Sequence, residues 1–352
     1  MNDRLDRDGR IKYRAELSGS NVRSIAGVAF DGECGLVFAV AHSSSHVSAF
    51  SLDSESFARV SCNVEAMAVC QPTAIAVDWL HRVVVTEGDS SEHRVAVLSS
   101  SSLVYDARSR VWAIAARAAA QSSLCNSPQG VAVDANNHRI VVADTDHHRV
   151  VAFSAVDGSF VFASGTEGTA AGEFNFPHGV AIDHARDRII VADTHNHRMQ
   201  VLSLIDGSFL FEFSKRRDAR SHRMHTPVGV CIDNRGRVIV ASCATMELQA
   251  FTPEGYHVSS FDCGGNCDSP PWAVAFDEQR GLIAFSAGNR IYVIGANQWL
   301  DSTFVWSLDR HRYAPSEIKQ VVLTMTLIRS LVCESPLSLL PNELLFEIFA
   351  RY

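Results

Sequence analysis

Two short segments concentrate aspartate, histidine and arginine, residue types that bind metals, phosphates or carboxylates. They read DTDHHR, from Asp144 to Arg149, and DTHNHR, from Asp193 to Arg198. The same composition suits a tight turn, because aspartate accepts backbone hydrogen bonds and arginine pairs with a nearby carboxylate. We predict this structural role for Asp144, Arg149, Asp193 and Arg198.

The 15 histidines also raise the question of a metal site. The residues that one face of the fold could gather are His147, His148, His178, His195 and His197. Imidazole is a common metal ligand, but a metal site also needs a defined ligand set with supporting hydrogen bonds. Cys263 and Cys267, in CGGNC, lack the second cysteine pair that a zinc site of this kind uses. We therefore predict no metal and no cofactor.

A basic segment runs from Ser214 to His225, SKRRDARSHRMH. Its cationic residues are Lys215, Arg216, Arg217, Arg220 and Arg223. Such a patch is typical of a site for RNA phosphates or for an acidic peptide, and the alternative is a solvated loop. No aromatic residue lies between the basic ones, which argues against base stacking.

Known catalytic motifs are missing from the sequence. It contains no nucleophile elbow, no P-loop and no GxGxxG followed by a helix. We therefore predict no catalytic residue and a chain that binds rather than catalyses.

The elements that must position these residues form an internal repeat. Each unit places an aspartate after a short β-branched run, and these aspartates recur 44 to 56 residues apart. They are Asp31, Asp78, Asp134, Asp183, Asp233 and Asp277. Runs such as VAV and VVAD, separated by Asp, Asn, Gly and His, predict short strands and turns. Six units of this length predict an all-β, six-bladed β-propeller with four strands in each blade.

The sixth unit ends near Ile294 without a fourth strand. Residues 11–17, IKYRAEL, alternate in polarity and are predicted to supply it, because closing the ring removes exposed edges. We expect a flexible N-terminus at 1–10, the propeller at 11–296, a linker at 297–314 and a helical tail at 315–352.

The repeats resemble the NHL family, on PQGVAVD…IVVADTDHHRVVAF and PHGVAID…IIVADTHNHRMQVL. The resemblance is specific in the third and fourth units and weaker in the others. It implies a six-bladed propeller that binds protein or RNA, often within ubiquitin ligases. Such ligases usually carry a RING and a B-box ahead of the propeller. The short preceding segment and the absence of paired CxxC motifs predict no RING here.

The tail ends in LSLLPNELLFEIFARY, which looks like the first helix of an F-box, and the helix pair of the tail also resembles a SOCS box. Its apolar face comprises Leu340, Leu344, Leu345, Ile348 and Phe349. This resemblance implies binding to a cullin-ligase adaptor through residues 315–352. The alternative is that both helices pack against their own chain.

Composition sets the broad class. The formal net charge is -8, hydrophobic residues make up 47% and charged residues 20%, as in an ordinary globular protein. The charged start and the lack of long apolar runs predict neither a signal peptide nor a membrane span. The 9 scattered cysteines favour a reducing, cytoplasmic compartment.

Together these features predict a scaffold that binds a protein partner, and the tail resemblance implies a link to ubiquitin-ligase-mediated degradation. The expected partner face combines the basic segment with His178, His195 and His197, of which the last two should be exposed. RNA binding through residues 215–223 is one alternative, and a metal-dependent, lactonase-like hydrolase or lyase of the same fold is another.

Overall fold

The structure is a computed structural model. It describes residues 11–16, 24–42, 47–52, 58–60, 71–88, 93–98, 110–115, 125–214, 224–264 and 267–300. The chain divides into two units, Met1–Phe304 and Val305–Tyr352, and all described residues belong to the first. The basic segment 215–223, most of the expected linker and the whole helical tail lie outside the described residues.

Six four-stranded antiparallel sheets make up the described fold. The inner strands are β2 (Ile25–Asp31), β6 (Pro72–Val77), β10 (Pro128–Asp134), β14 (Pro177–Asp183), β18 (Pro227–Ile232) and β22 (Pro271–Asp277). The second strands are β3 (Leu36–Ala41), β7 (Val83–Glu87), β11 (Arg139–Asp144), β15 (Arg188–Asp193), β19 (Val238–Ser242) and β23 (Leu282–Ala287). The prediction of an all-β propeller is confirmed.

The other two strands of each blade lie further from the axis. The third strands are β4 (Ser48–Ser51), β8 (Arg94–Leu98), β12 (Arg149–Ser154), β16 (Arg198–Ser203), β20 (Glu247–Phe251) and β24 (Arg290–Gly295). The outer strands are β5 (Ala58–Val60), β9 (Arg110–Ala115), β13 (Phe160–Ser164), β17 (Phe209–Phe213), β21 (His257–Asp262) and, for blade six, β1 (Ile11–Glu16).

The middle strands are apolar because both of their faces are covered by neighbouring blades. Along β11, for example, residues 140–143 are all buried. They contribute alternately to two cores. Ile140 and Val142 pack towards blade two, whereas Val141 packs towards blade four. This two-sided burial explains why the sequence shows continuous β-branched runs rather than strict alternation.

Blade six is completed by the start of the described chain. Strand β1 pairs antiparallel with β24, and the register runs from Ile11 opposite Ile294 to Glu16 opposite Arg290. The side chain of Asn289 also donates a hydrogen bond to Glu16, at 3.0 Å. Within the described residues, strand β1 therefore supplies the fourth strand of blade six, and residue 17 of the expected closing strand lies outside them.

Glycines let the inner strands approach one another closely around the axis. Neighbouring inner strands are in contact around the whole ring, and β22 meets β2 to close it. A Cβ atom added to Gly130 would lie 2.0 Å from the carbonyl oxygen of His178 in the next blade. The equivalent distance is 2.2 Å from Gly179 to Val228. No other residue fits such a backbone contact without a shift of the strand.

A short helix, α1 (Ala296–Leu300), follows the last strand. Trp299 is fully buried and packs against Phe261, with ring centroids 6.0 Å apart. The first residues of the expected linker therefore belong to the core between blades five and six. Within the described residues, the helices are too short to cross a bilayer.

Candidate functional site

The DTDHHR and DTHNHR turns lie at the same end of the propeller as the starts of the inner strands. Strand pairing sets Pro128 opposite Asp144, and Pro177 opposite Asp193. We call this end the upper mouth. The lower mouth is the opposite end, where each inner strand turns into the second strand of its blade.

The turn from Asp193 to Arg198 is held by a buried carboxylate. Asp193 is fully buried and accepts hydrogen bonds from the backbone N–H of Asn175 at 2.7 Å, from Arg198 Nε at 2.7 Å and from Gln200 at 2.9 Å. Arg198 is 7% exposed and also forms an ion pair with Glu212 at 2.6 Å. The negative charge of Asp193 and the positive charge of Arg198 thus neutralise each other inside the fold.

The homologous turn in blade three uses the same scheme. Buried Asp144 accepts hydrogen bonds from the backbone N–H of Asn126 at 2.6 Å and from Arg149 Nε at 2.7 Å. His147 Nδ1 lies 3.0 Å from the same carboxylate. The Arg149 side chain is 30% exposed, against 8% for Arg198. Asp144, Arg149, Asp193 and Arg198 therefore stabilise the turns.

The histidine before each arginine joins its blade to the next. His148 and His197 adopt left-handed backbone conformations, with φ of 53° and 55°. His148 Nδ1 accepts a hydrogen bond from the backbone N–H of Phe176, and His197 Nδ1 accepts one from Thr226, both at 3.1 Å. His197, expected to be exposed, is half-buried because this bond draws its ring over the next blade.

His197 also stacks on His225, with ring centroids 4.0 Å apart. Burial, followed by repulsion from His225 and His195, lowers the pKa of His197. A neutral ring suits its role as a hydrogen-bond acceptor.

The threonine of each turn makes a second connection between blades. Thr145 donates a hydrogen bond to the carbonyl oxygen of Pro177 at 2.6 Å, and Thr194 donates one to Pro227 at 2.7 Å. Both threonines are buried. In each turn the aspartate and arginine hold the turn itself, and the threonine and the second histidine join the blade to the next one.

The second position of the inner strands behaves differently. It is occupied by Ala26, Thr73, Gln129, His178, Val228 and Trp272, a different residue in every blade. Five of them, all except Thr73, line a cavity at the axis of about 60 Å³. A water molecule needs about 10–15 Å³ measured in this way, so the cavity holds a few waters or the tip of a side chain.

His178 and Trp272 meet across this cavity. Their rings make an edge contact at 5.9 Å, and His42 contacts Trp272 in the same manner at 6.4 Å. Burial, with contributions from His195 and His42, lowers the pKa of His178 to about 4. His178 Nδ1 is buried and has no hydrogen-bond partner among the residues that the structure describes. This ring nitrogen of the neutral His178 side chain is therefore available to a ligand, next to the indole ring of Trp272.

His195 is the exposed histidine of the DTHNHR turn. Its ring lies 4.8 Å from that of Phe176, which in turn makes an edge contact with His148 at 4.5 Å. The upper mouth of blades three and four is therefore rich in aromatic and imidazole rings. His195 and His178 both lie on this mouth, whereas the His197 ring is engaged in the hydrogen bond to the next blade.

Within the described residues, the histidines of the upper mouth belong to no group of three donor side chains around one point. Across the part of the chain that the structure describes, one group of three donor side chains lies within reach of a single ion, formed by Asp31, Cys34 and His81. It belongs to the lower mouth. The five basic residues of the expected partner face fall in the segment 215–223 and the apolar tail residues in 340–349, so both remain predictions.

Trp272 is the residue of the upper mouth that the sequence patterns did not single out. A tryptophan that follows a proline at the start of a strand is not distinguished, by sequence alone, from any other apolar strand residue. The signal was available in the alignment of the six units, since Trp272 occupies the one inner-strand position near this mouth that differs in every blade.

Comparisons with known proteins agree with this architecture. Residues 126–153 and 174–202 match the NHL repeat. No curated protein matches the chain in sequence. Among solved structures, a chain of a nidogen/laminin complex matches with a TM-score of 0.55 and 13% identity, over 76% of this chain and 97% of that one.

Two enzymes share the fold as well. A gluconolactonase from Xanthomonas campestris has a TM-score of 0.58 and 15% identity, over 81% of this chain and 90% of its own. A streptogramin B lyase has a TM-score of 0.55 and 14% identity, over 80% and 96%. At these identities the likeness establishes the fold alone. The chain is a β-propeller that contains NHL repeats.

Proposed function

We propose that the protein is a scaffold that binds a protein partner on its upper mouth, with Trp272 at the centre of the contact. The observation that carries this proposal is the second position of the inner strands. There the repeat changes residue in every blade, while the turns beside it in blades two, three and four keep a buried acid paired with an arginine. Thr73 at this position is buried and bonded to the fold, but Gln129, His178 and Trp272 are partly exposed and line one cavity, so they are available for recognition.

The chemistry of this surface suits a protein better than RNA. A half-buried tryptophan, neutral imidazoles and the amide of Gln129 match the centre of protein interfaces, where aromatic residues dominate the binding energy. The arginines of the described turns, Arg149 and Arg198, are paired with Asp144 and Asp193. They therefore offer little net positive charge to a phosphate backbone.

An enzymatic role receives less support. The two enzymes that share the fold show that a propeller can carry catalysis, and we expected a lactonase-like site to need a set of metal ligands. The described residues of the upper mouth supply no group of three such donors around one point. The nidogen/laminin neighbour, by contrast, comes from a complex of proteins.

The proposal extends to the tail on sequence grounds. Residues 315–352, with their F-box-like or SOCS-box-like pattern, would recruit a cullin-ligase adaptor and so bring the bound partner to ubiquitination. Deletion of these residues should abolish co-purification of an adaptor and leave partner binding by the propeller intact. An adaptor retained by the truncated chain would contradict this extension.

Site-specific photocrosslinking in cells tests where the partner binds. A photoreactive amino acid at Gln129, on the upper mouth, should form an adduct with a protein. The same probe at Leu80, which is 57% exposed on the lower mouth, is the matched control and should not form that adduct. An adduct with RNA from Gln129, or a protein adduct found equally from Leu80, would overturn the proposal.

A further inference from the structure

Four potential ligand side chains converge at the lower mouth, between blades one and two. Asp31 is the last residue of β2, Glu33 and Cys34 lie in the turn that follows it, and His81 comes from the turn after β6. His81 Nδ1 lies 3.0 Å from Asp31 Oδ2, and His81 Nε2 lies 3.0 Å from Glu33 Oε2. The donor atoms of Asp31, Cys34 and His81 all lie within 4.8 Å of one another.

Local structure fixes the positions of these groups. Asp31 is buried, and its Oδ1 accepts a hydrogen bond from the backbone N–H of Cys34 at 3.0 Å. His81 occupies a left-handed conformation, with φ of 56°, and its backbone N–H donates to the carbonyl oxygen of Asp78 at 2.9 Å. Cys34 is exposed, so an ion can reach the thiol from solvent.

The homologous turns show that the propeller does not need a thiol here. The residue three positions after the turn aspartate is Asn137 in blade three and Arg186 in blade four. Each donates to its own aspartate, Asn137 at 2.8 Å and Arg186 at 3.3 Å. Blade one has Cys34 at this place, and the imidazole of His81 from the next blade approaches the carboxylate instead.

The junction between blades three and four shows that the contact between aspartate and histidine also occurs without a thiol. His184 of blade four lies 3.5 Å from Asp134 of blade three, which resembles the pair of His81 and Asp31. At that junction the third place is taken by the amide of Asn137. An Asp–His contact between blades is thus a recurrent feature, whereas the additional thiol of Cys34 belongs to the first junction.

The arrangement around His81 matches a metal-bound histidine. When one ring nitrogen binds a metal, the other usually donates its N–H to a carboxylate, which orients the ring. Here Asp31 lies at Nδ1 and Glu33 at Nε2, and the thiol of Cys34 lies within 4.8 Å of a donor atom of Asp31 and of His81. Tetrahedral Zn²⁺ with ligand bonds of about 2.0–2.3 Å separates its donor atoms by roughly 3.3–3.7 Å, so small side-chain movements suffice.

We propose that Asp31, Cys34 and His81 form a binding site for a divalent transition metal ion of the Zn²⁺ type, which joins blade one to blade two. Glu33 orients the His81 ring, and water completes the coordination. Binding displaces the thiol proton of Cys34, which passes to solvent, so that the thiolate becomes the sulfur ligand.

Titration with Co²⁺ tests this proposal on the full chain, purified without a histidine tag and treated with a chelator. Cobalt bound to a thiolate has a characteristic charge-transfer absorption, and we expect it to saturate at one equivalent. Cys34→Ser should abolish this absorption. Glu33→Gln should weaken binding about 10–100-fold, the usual effect of removing such an orienting group.

Two matched variants control for the other cysteines and histidines. Cys243→Ser removes a half-buried thiol from blade five, and His184→Gln removes the histidine of the homologous junction. Both should leave the cobalt absorption unchanged. Circular dichroism verifies that each metal-free variant is folded, and Zn²⁺ should raise the melting temperature of the wild type but not of Cys34→Ser. A wild type without the thiolate absorption, or a Cys34→Ser variant that keeps it, would overturn the proposal.

Discussion

Two sets of residues at the upper mouth follow opposite rules. The turns after the second strands of blades three and four repeat their chemistry, with Asp144 bonded to Arg149 and Asp193 bonded to Arg198 inside the fold. Blade two keeps the same pairing with Glu87 and Arg94. The second position of the inner strands, a few ångströms away, is different in all six blades.

This difference separates structural residues from candidate contact residues without recourse to other sequences. All six blades have the same four-stranded architecture. We therefore expect a residue that the fold requires to recur at the same position in several blades, and a residue that it does not require to vary. By this criterion, the aspartates and arginines of DTDHHR and DTHNHR have a structural role. Trp272 and His178 become the stronger candidates for recognition.

The largest effect should come from removing a turn carboxylate. Asp193→Ala removes the buried acceptor that Asn175, Arg198 and Gln200 share. Arg198 keeps its ion pair with Glu212, but we expect the loss of the buried carboxylate to cost about 3–5 kcal/mol of unfolding free energy. Asp144→Ala should cost less, about 1–3 kcal/mol, because the more exposed Arg149 is better hydrated and the main loss is the hydrogen bond to Asn126. Urea denaturation measures both. Equal losses would show that the exposure of the arginine is irrelevant.

The unpartnered imidazole of His178 predicts a pH dependence of stability. Its pKa is about 4 in the folded chain and 6.5 when unperturbed. Between these values the unfolded chain binds a proton that the folded chain does not, so stability should fall as the pH drops from 6.5 to 4. The full effect is on the order of 3 kcal/mol.

His178→Gln should remove this part of the pH dependence, since glutamine does not titrate. His184→Gln serves as the control, because His184 is exposed and lies at the lower mouth, away from His178. Denaturation curves of the three proteins across this pH range measure the difference. Identical pH profiles for wild type and His178→Gln would place the His178 ring in water rather than in the cavity.

A smaller effect is expected at the glycines of the axis. Gly179→Ala should cost about 2 kcal/mol, because the new Cβ would lie 2.2 Å from the carbonyl oxygen of Val228 and must displace the strand. Blade two already has Ala74 at the homologous place. Ala74→Gly should therefore cost no more than about 1 kcal/mol. A neutral Gly179→Ala would contradict the close approach of the inner strands.

Much of the fold could be predicted from the sequence because the six repeat units of the chain can be aligned with one another. The aspartate spacing indicates the blades, and the missing fourth strand of the last unit indicates that residues near 11–17 supply it. The turn pairs were also predictable, since aspartate and arginine in a tight turn have few alternatives. The all-β class followed from β-branched runs between turn residues.

The contacts between blades were less accessible from the sequence. His197 looks like a loop residue, and only the left-handed conformation before Arg198 directs its ring to the backbone of the next blade. The grouping of Cys34 with His81 joins turns that are 47 residues apart. Such contacts depend on how adjacent blades are rotated, which no local pattern encodes.

The most direct test of the central claim is affinity purification of the full chain from nuclease-treated cell extract, with wild type compared with Trp272→Ala. Leu210→Ala, on the outer strand of blade four, is the control for loss of an exposed apolar side chain. We predict that Trp272→Ala keeps its fold and melting temperature within a few degrees but loses a protein that wild type and Leu210→Ala retain. If the folded Trp272→Ala variant retains every protein bound by the wild type, the upper mouth is not the binding surface.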